Sequence, residues 1–541
     1  MRSTFFCEDR SAVNEAAWVG SGAARSIFAL LTLLGSALVA SDAWALRWTG
    51  RYDAHQVPQN ASYPTWTRMG GGAQSVNASI LTLQTTSASE YYYRYWGASS
   101  TNPGETLEAR VKLESGGYAV LQMADGKYSL QVQIYPGYIV LNPGGTYYLD
   151  TRRFRNYHVM LASASGYYQV FVDNAVVGSA YATPSSSNYV LFGQPYGTAK
   201  SHWDFVYYTT SGYYRPWDSF QLYHMTDSHV DYAPQPNGYD DHAGTFGAQM
   251  DWIRANKLGT KLALIVNGGD AGNTGNALYG YYSVSPYTDL VSKLYRSNWQ
   301  PDPGRMTADS GGTIPVFFTP GNHDFRTTNS PPQWTTTATQ YHNYISRYDD
   351  FYYFHGNALI IGLSSGYDTC VNPVDLLSCI ENPEGSGLTQ GQFDYVKNLL
   401  DGLDGVSDGR DSSSFAKIIL MHHPIVNLGG TKCDGTAYTG LIRGPDDGSI
   451  ANRRTQFIQL CDDMKVHVVL TGHVHQGVIT DRYGNALSPG LYSGKTLYVQ
   501  TGSSREGRYR VIELTPNFNF TSSNVRVYGE STFQTHECGQ Q

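Results

Sequence analysis

The apolar and polar positions follow different patterns in two parts of the chain. Between about residues 46 and 215, short runs alternate apolar and polar residues, as in "YSLQVQIY" at 128–135, and turn residues separate the runs. A period of two is typical of half-buried strands. In "VFVDNAVVG", Asp173 and Asn174 predict a two-residue hairpin turn with positive φ. The pattern predicts an antiparallel β-sandwich of the jelly-roll type over residues 46–215.

After residue 215 the pattern changes to strands that alternate with helices. Apolar residues recur every three to four positions at 243–257, 389–403 and 452–465, and this spacing predicts three helices. Strands are predicted from "SFQLYHMT", "KLALIVNG", "TIPVFFTP", "NALIIGLSS", "FAKIILMH", "VHVVLTG" and "KTLYVQTG". Strand–helix alternation is typical of a layered α/β domain, which we assign to residues 216–541.

An apolar run near the N-terminus shows neither the two-residue period of the strands nor the three-to-four-residue spacing of the helices. The run "SIFALLTLLGSALVA" follows Arg25, and "AWA" at 43–45 offers small residues for cleavage. These features predict a signal peptide over residues 1–45 and a mature chain that starts near Leu46. The run is too short to span a bilayer comfortably, and no later segment has that character, so we expect no membrane span after cleavage. The expected location is extracellular or periplasmic.

Composition and charge narrow the class of protein. The 541 residues are 41% hydrophobic and 15% charged, which is typical of a globular chain with two domains. The net charge of −8 disfavours a nucleic acid duplex as partner, because phosphate backbones bind basic surfaces. Residues 46–215 hold 22 of the 43 tyrosines, which suits either dense packing of the sheets or a ligand surface.

Because export is predicted, we interpret the cysteines as those of a protein in an oxidising compartment. Cys370 and Cys379 are close in sequence and are predicted to form a disulfide. Cys461 lies in a helical, apolar pattern and is predicted to be a buried free thiol. Whether Cys433 pairs with Cys538 stays open.

Polar side chains follow five of the predicted strands of the second domain, at the point where each strand ends. In open α/β sheets, sites form at the carboxyl ends of the strands. Any one of these positions alone has a simpler explanation as a cap or a loop residue, but five in one domain indicate a site. The residues are Asp227 and His229, Asp270, Asn322 with His323 and Asp324, His422 with His423, and His473 and His475.

The mixture of carboxylate, amide and imidazole donors indicates a metal centre. Such donors suit Mn²⁺, Zn²⁺ or Fe, whereas Mg²⁺ and Ca²⁺ prefer oxygen almost exclusively. The candidate ligands exceed one tetrahedral site, so we expect two divalent metal ions, with Asp270 as the natural bridging carboxylate. The seven candidates are Asp227, His229, Asp270, Asn322, His422, His473 and His475.

In order, "DSH", "GGDAGN", "GNHD", "HHP" and "GHVH" resemble the motifs of the calcineurin-like metallophosphoesterase superfamily, over about residues 218–515. The resemblance implies an α/β sandwich of four layers (αββα) with a dinuclear site at the strand ends. It implies a first metal held by Asp227, His229 and His475. It implies a second metal held by Asn322, His422 and His473, with Asp270 bridging the two.

The same resemblance implies roles for three further residues. His323 would contact the phosphate and help the leaving oxygen depart, Asp324 would orient His323, and His423 would not be a ligand. Purple acid phosphatases carry a Tyr three residues after the bridging Asp and a Gly in place of His229. This chain has Asn273 and His229 there, so an Fe(III)–tyrosinate site is not expected.

The runs "FRNYHVMLASASGYYQVFVDNAVVGS" and "HWDFVYYTTSG" resemble concanavalin-A-like, or laminin-G-like, domains. Such domains often bind glycans, and a glycan-binding role and a spacer role both stay open for residues 46–215.

We therefore expect a secreted enzyme that hydrolyses a phosphate ester with a metal-activated hydroxide and with help from His323. Two alternatives stay open. The first is a phosphodiesterase or nucleotidase in place of a phosphomonoesterase. The second is a glycan-binding adhesive protein whose phosphoesterase domain is inert.

Overall fold

The computed structural model describes most residues between 50 and 532. The longer stretches outside the description are 1–49, 61–65, 96–103, 231–241, 273–286, 291–315, 370–383, 405–414, 427–449, 517–522 and 533–541. The chain divides into two compact units, Met1–Asp42 and Ala43–Gln541, and all described residues belong to the second. The predicted signal peptide, Asn273 and the predicted Cys370–Cys379 disulfide lie outside the described residues, as do Cys433 and Cys538.

The first part of the described chain consists of strands and one short 3₁₀ turn, Pro58–Asn60. The strands are β1 (Gly50–Tyr52), β2 (Thr67–Gly70), β3 (Ala73–Asn77), β4 (Ile80–Thr85), β5 (Glu90–Tyr95), β6 (Glu105–Gly116), β7 (Ala119–Asp125), β8 (Tyr128–Tyr135), β9 (Tyr138–Asn142), β10 (Thr146–Tyr148), β11 (Arg155–Ala162), β12 (Tyr167–Val172), β13 (Ala175–Tyr181), β14 (Thr183–Pro184), β15 (Asn188–Gln194) and β16 (Ala199–Thr209).

These strands form two antiparallel sheets of eight strands each. Sheet I has the order β13-β12-β11-β6-β16-β4-β3, with β1 on β16, and sheet II has the order β10-β9-β8-β7-β15-β5-β2, with β14 on β8. The alternating pattern explains the sandwich, because β8 buries Leu130, Val132 and Ile134 in the core and turns the residues between them outwards. The predicted hairpin is confirmed, because Val172 pairs with Ala175 and Asp173 has a φ of 47°, whereas Asn174 lies outside the described residues.

The second part of the described chain contains four helices and sixteen strands. The helices are α1 (His242–Lys257), α2 (Thr339–Tyr344), α3 (Gln390–Asp404) and α4 (Arg454–Asp463), and the 3₁₀ turns are Asn322–Phe325 and Ser504–Glu506. The strands are β17 (Phe220–Met225), β18 (Leu262–Asn267), β19 (Val316–Phe318), β20 (Arg326–Asn329), β21 (Pro332–Trp334), β22 (Phe351–His355), β23 (Ala358–Gly362), β24 (Asp368–Thr369), β25 (Glu384–Gly385), β26 (Ala416–Leu420), β27 (Val468–Thr471), β28 (Val478–Thr480), β29 (Gly490–Leu491), β30 (Leu497–Gln500), β31 (Arg508–Pro516) and β32 (Ser523–Thr532).

Two mixed six-stranded sheets dominate this part. Sheet III has the order β19-β18-β17-β31-β32-β29, and sheet IV has the order β22-β23-β26-β27-β30-β28. Strands β17, β18 and β19 run parallel, as do β23, β26, β27 and β30. The three predicted long helices and the seven predicted strands are confirmed.

The order in which helices and sheets are stacked follows from the core that each side chain joins. In β17, Leu222 belongs to the core shared with sheet IV, whereas Tyr223 packs in a second core with Met250 of α1. On the other side, Val396 of α3 and Phe457 of α4 join the core of sheet IV. The resulting order of helix, sheet, sheet and helices is the predicted αββα arrangement.

The core of the α/β layers also includes side chains of the β-sandwich. Phe205 and Tyr207 of β16 are buried in the same cluster as Phe220 and Tyr353. The ring centroids of Tyr207 and Tyr353 are 5.7 Å apart. The two parts of the second unit are therefore joined by apolar packing as well as by the chain.

Cys461 lies buried in α4 and is a free thiol, as predicted. Burial raises the pKa of this thiol far above its ordinary value, so it stays protonated. Within the described residues, no helix is both long enough and apolar enough to cross a membrane.

Candidate metal centre

The candidate ligands lie in the loops that follow the parallel strands of the two α/β sheets. Asp227, Asp270 and Asn322 come after β17, β18 and β19 of sheet III. His422 and His473 come after β26 and β27 of sheet IV. Because parallel strands end at the same edge of a sheet, these loops meet at one side of the layered domain.

Most of these loops place their ligand on a left-handed backbone. Among the described residues, nine that are not glycine have positive φ, and five of them are candidate ligands. Non-glycine residues rarely adopt this conformation, and it persists only where surrounding contacts enforce it. The five, with their φ angles, are Asp227 (54°), His229 (42°), Asp270 (51°), His473 (70°) and His475 (57°).

The first cluster consists of Asp227, His229 and His475. The Nε2 atoms of the two histidines are 3.1 Å apart, and Asp227 Oδ1 lies 3.3 Å from His475 Nε2 and 3.9 Å from His229 Nε2. The other oxygen of Asp227 accepts from Thr226 Oγ1 at 2.7 Å. Two imidazole nitrogens and one carboxylate oxygen therefore face a common point.

The second cluster consists of Asn322, His422 and His473. Asn322 Oδ1 lies 2.8 Å from His422 Nε2 and 3.3 Å from His473 Nδ1. His422 Nδ1 lies 2.8 Å from the carbonyl oxygen of Gly268. Since a carbonyl only accepts, Nδ1 carries the proton of a neutral ring and leaves the Nε2 lone pair for a metal.

Asp270 faces both clusters with the same atom. Its Oδ2 lies 3.7 Å from His229 Nε2 of the first cluster and 3.3 Å from His422 Nε2 of the second. Its Oδ1 accepts the backbone N–H of His323 at 2.8 Å, which fixes the carboxylate. Asp270 therefore has the position that a bridging carboxylate requires.

The electrostatics of the site favour positive charge. Asp227 and Asp270 are buried, and burial alone would raise the pKa of each carboxyl. The histidines around them outweigh this effect and lower both pKa values. Burial likewise opposes protonation of His422, but the two carboxylates raise its pKa to about 9. A cation at the centre would meet this demand for positive charge.

The structure corrects the predicted contact of Asp324. Both carboxylate oxygens of Asp324 are used within the loops: Oδ2 accepts from Gly321 N at 2.7 Å, and Oδ1 accepts from the Tyr287 hydroxyl and from Gly272 N. None of these bonds reaches His323. Asp324 therefore holds the loop that carries His323 and does not orient the imidazole directly.

Tyr287 is a buried partner of the site that the sequence did not reveal. Its hydroxyl donates to Asp324, which is also buried. Burial, followed by the charge of Asp270, raises the pKa of Asp324 to about 7. Tyr287 lies in a Tyr- and Gly-rich stretch of the sequence, which carries no signal that singles it out.

His423, which is expected not to be a ligand, nevertheless lies next to two candidate ligands. A nitrogen of His423 lies within 4.8 Å of nitrogens of His422 and His473. Its Nδ1 lies 2.8 Å from the hydroxyl oxygen of Ser365, which also accepts the His423 N–H at 3.0 Å. Ser365 thus fixes the ring, and the exclusion of His423 as a ligand stays a prediction.

Two glycines allow the loops to approach each other. A Cβ atom on Gly321 would lie 2.3 Å from Asp270 Oδ1, and one on Gly472 would lie 2.4 Å from Asp227 Oδ2. Neither position tolerates a side chain without displacing a candidate ligand.

A sixth strand end, after β30, also reaches the site. The following turn binds the Asp227 loop: Ser503 Oγ donates to Asp227 O at 2.7 Å, and Ser504 N donates to Thr226 O at 2.8 Å. The hydroxyls of Ser504 and Ser228 lie 2.9 Å apart. The strand-end rule could have found this turn, because β30 is parallel to β27.

The family of the domain follows from its sequence. Residues 220–477, which contain every candidate ligand, match the family model for calcineurin-like phosphoesterases. These residues belong to the calcineurin-like phosphoesterase family. Members of this family are phosphoric ester hydrolases that use divalent metals, and the clustered Asp and His donors fit such ions.

Sequence and structure comparisons beyond the family model add little to the phosphoesterase assignment. No curated protein matches the chain in sequence. A sialidase has 12% identity and a TM-score of 0.25, over 31% of this chain and 19% of its own. A putative 5′-nucleotidase from Staphylococcus aureus has 16% identity and a TM-score of 0.32, over 59% of this chain and 56% of its own. A purple acid phosphatase from yellow lupin seeds has 11% identity and a TM-score of 0.35, over 84% of this chain and 92% of its own.

All three TM-scores lie below 0.5, so these likenesses do not bear on the function of this chain. The chain spans about a fifth of the sialidase and just over half of the nucleotidase.

Proposed function

We propose that this chain is an exported phosphoesterase that binds two divalent metal ions, of Mn, Zn or Fe, and hydrolyses a phosphate ester. The observation that carries the proposal is the position of Asp270 Oδ2, at 3.7 Å from His229 Nε2 and 3.3 Å from His422 Nε2. One carboxylate oxygen that serves two donor clusters is the arrangement of a shared ligand.

Each donor cluster would hold one ion. Asp227, His229 and His475 would bind the first ion, Asn322, His422 and His473 would bind the second, and Asp270 would be shared. When bound, two such ions lower the pKa of a water molecule and neutralise charge on phosphoryl oxygens.

His323 is the side chain best placed to act on the leaving group. Its Nε2 lies 3.9 Å from Asp270 Oδ2, and its side chain is 17% exposed, so it borders the ligands and still reaches solvent. The bond from its backbone N–H to Asp270 fixes it there. We assign it the transfer of a proton from the ring to the leaving oxygen.

The experiment that tests this function compares two aryl phosphates. The full chain is stripped of metal, reconstituted with Mn²⁺ and assayed on an aryl phosphomonoester and an aryl phosphodiester. Turnover of either ester by the loaded protein, and loss of turnover in Asp270→Asn, is the expected result. Metal-loaded protein that hydrolyses neither ester would contradict the proposal and favour the adhesive alternative. Preference for the diester would favour a phosphodiesterase.

A second candidate function concerns the outer face of sheet II. The rings of Tyr135 and Tyr138 stack with centroids 4.7 Å apart, and Tyr118 lies 4.9 Å from Tyr135. Beside this stack, Gln133 donates to Gln131 at 3.2 Å, on the face opposite the core. Aromatic faces next to side-chain amides suit a sugar, so we propose that this face binds a glycan. A glycan array with wild type and Tyr138→Ala tests it, and equal binding or none would contradict it.

Export is a separate part of the proposal and rests on the N-terminal sequence. Expression of the full chain with its first 45 residues, followed by N-terminal sequencing of the exported protein, tests it. A chain that begins near Leu46 is expected, and retention of the protein in the cytoplasm would contradict it.

A further inference from the structure

The turn after β30 carries an arginine next to the first ligand cluster. Arg505 donates its backbone N–H to Asp227 O at 3.3 Å and to Ser503 Oγ at 3.2 Å. The same Ser503 hydroxyl donates to Asp227 O at 2.7 Å. The main chain of Arg505 is therefore fixed directly against the loop that holds Asp227 and His229.

Other bonds make this turn rigid. Ser504 is buried between Thr226 and Ser228 through its N–H and its hydroxyl. The side-chain amide of Gln249 in α1 donates to the Ser504 carbonyl. Gly507 ends the turn on a left-handed backbone with φ of 76°. These bonds hold the main chain of Arg505 beside the loop that carries Asp227.

The guanidinium of Arg505 is half-buried and is not neutralised by a carboxylate. In the described part of the chain, it forms neither a hydrogen bond nor an ion pair, although acidic residues lie close in sequence. Those acids are already paired with Arg508, whose Nε lies 3.1 Å from Glu506 and whose Nη1 lies 3.2 Å from Glu530. Arg505 thus presents a positive charge that no carboxylate of the described residues pairs with.

We propose that Arg505 binds a phosphoryl oxygen of the substrate at the side of the first ligand cluster. A guanidinium donates two parallel N–H groups and matches phosphate geometry better than an ammonium group does. The ligand class is a phosphate monoanion or dianion, and inorganic phosphate is its simplest member. Arg505 lies beyond residues 220–477, so the family match does not assign it. The inference rests on the proposed function for its location, but it can be tested without turnover.

The test measures phosphate affinity of the full chain loaded with Mn²⁺, by isothermal titration calorimetry with inorganic phosphate. Arg505→Met is expected to weaken phosphate binding by roughly tenfold or more, because a charge-assisted hydrogen bond is lost. Arg505→Lys should recover part of the loss, since the charge returns without the paired donors. Arg508→Met is the matched control and should keep wild-type affinity, because Arg508 is occupied by Glu506 and Glu530.

Metal content and kinetics separate the outcomes. All variants should bind the same amount of Mn²⁺, and Arg505→Met should raise KM for an ester more than it lowers kcat. Three results would each overturn the inference. They are unchanged phosphate affinity in Arg505→Met, equally weakened phosphate affinity in Arg508→Met, and loss of metal in Arg505→Met. If the wild type turns over esters while any of these is seen, only the inference fails. If Arg505→Met weakens phosphate binding but wild type hydrolyses no ester, only the proposed function fails.

Discussion

At the scale of single residues, the site depends on backbone conformations that few residues adopt. Five candidate ligands have positive φ, and glycines at 321 and 472 let the loops touch. The strand-end pattern predicts the identities of the ligands, since Asp, Asn and His stand where strands stop. It does not predict the left-handed backbone or the Tyr287–Asp324 contact, because both depend on loops that are distant in sequence.

The role of His323 can be separated from metal binding. His323→Ala is expected to keep the metal content of wild type, because its imidazole is not among the proposed ligands. It should lower kcat for an ester by roughly 100- to 10,000-fold, the usual contribution of a general acid. His342→Ala is the control, since His342 pairs with Asp349 at 2.7 Å and is not among the candidate site residues. Unchanged turnover in His323→Ala would remove its assigned role.

Gly321 is predicted to be irreplaceable for a steric reason. The Cβ of Gly321→Ala would lie 2.3 Å from Asp270 Oδ1 and must displace the shared carboxylate. We expect weaker metal binding and a lower Tm, measured by metal analysis and calorimetry. Gly391→Ala in α3 is the matched control, because its Cβ would meet only Thr389 Oγ1 at 3.9 Å. Equal metal content in both variants would contradict this explanation.

At the scale of elements, the apolar pattern predicts the long helices from their spacing and seven strands of sheets III and IV from their apolar runs. Strands such as β18, β23 and β26 are buried on both faces, which explains these runs. The strands that the pattern misses include β22, β31 and β32. In β31, Arg510 is buried and donates to the carbonyls of Tyr528 and Gln500. A charged residue satisfied by distant backbone atoms breaks the alternation, so the sequence alone conceals this central strand of sheet III.

The contact between α3 and the loops around β22 and β23 predicts a dependence of stability on pH. Asp350 Oδ1 accepts from Ser364 N and from Gln392 Nε2, both at 2.8 Å. Burial raises the pKa of Asp350 to about 6 from an ordinary value of 3.8. The folded state therefore binds this proton more tightly than the unfolded state. That contribution to stability is present below about pH 4 and is lost as pH rises through about 6.

Asp350→Asn keeps the accepting oxygen and cannot ionise. We expect it to be more stable than wild type at pH 7 by about 1–3 kcal/mol, with the difference vanishing near pH 4. Urea denaturation between pH 4 and pH 7 measures the free energy of unfolding. A difference that stays constant over this range would show that the charge of Asp350 carries no cost.

At the scale of the whole second unit, the β-sandwich and the α/β layers share one apolar cluster. Phe205 and Tyr207 of β16 pack with Phe220 and Tyr353, and Tyr352 donates its hydroxyl to Asp204. Composition and periodicity predict two parts of different architecture, but they do not predict this contact, which depends on side chains of separate elements. A loosely tethered spacer would not need it.

We expect the two parts to unfold together. Tyr207→Ala should destabilise the chain by roughly 3–5 kcal/mol, as other large aromatic truncations in a core do, and should lower the Tm of a single calorimetric transition. Tyr148→Ala, on a side chain that is 86% exposed, is the control and should leave the Tm near that of wild type. Two separate transitions, with only one shifted, would contradict a shared core.

The central claim is a centre for two metal ions with Asp270 between them. The most direct measurement is the number of metal ions per chain, by inductively coupled plasma mass spectrometry of protein reconstituted with Mn²⁺ and freed of excess metal. The account predicts two ions per wild-type chain and fewer than two in Asp270→Asn. One ion or none in the wild type, or two retained in Asp270→Asn, would contradict it.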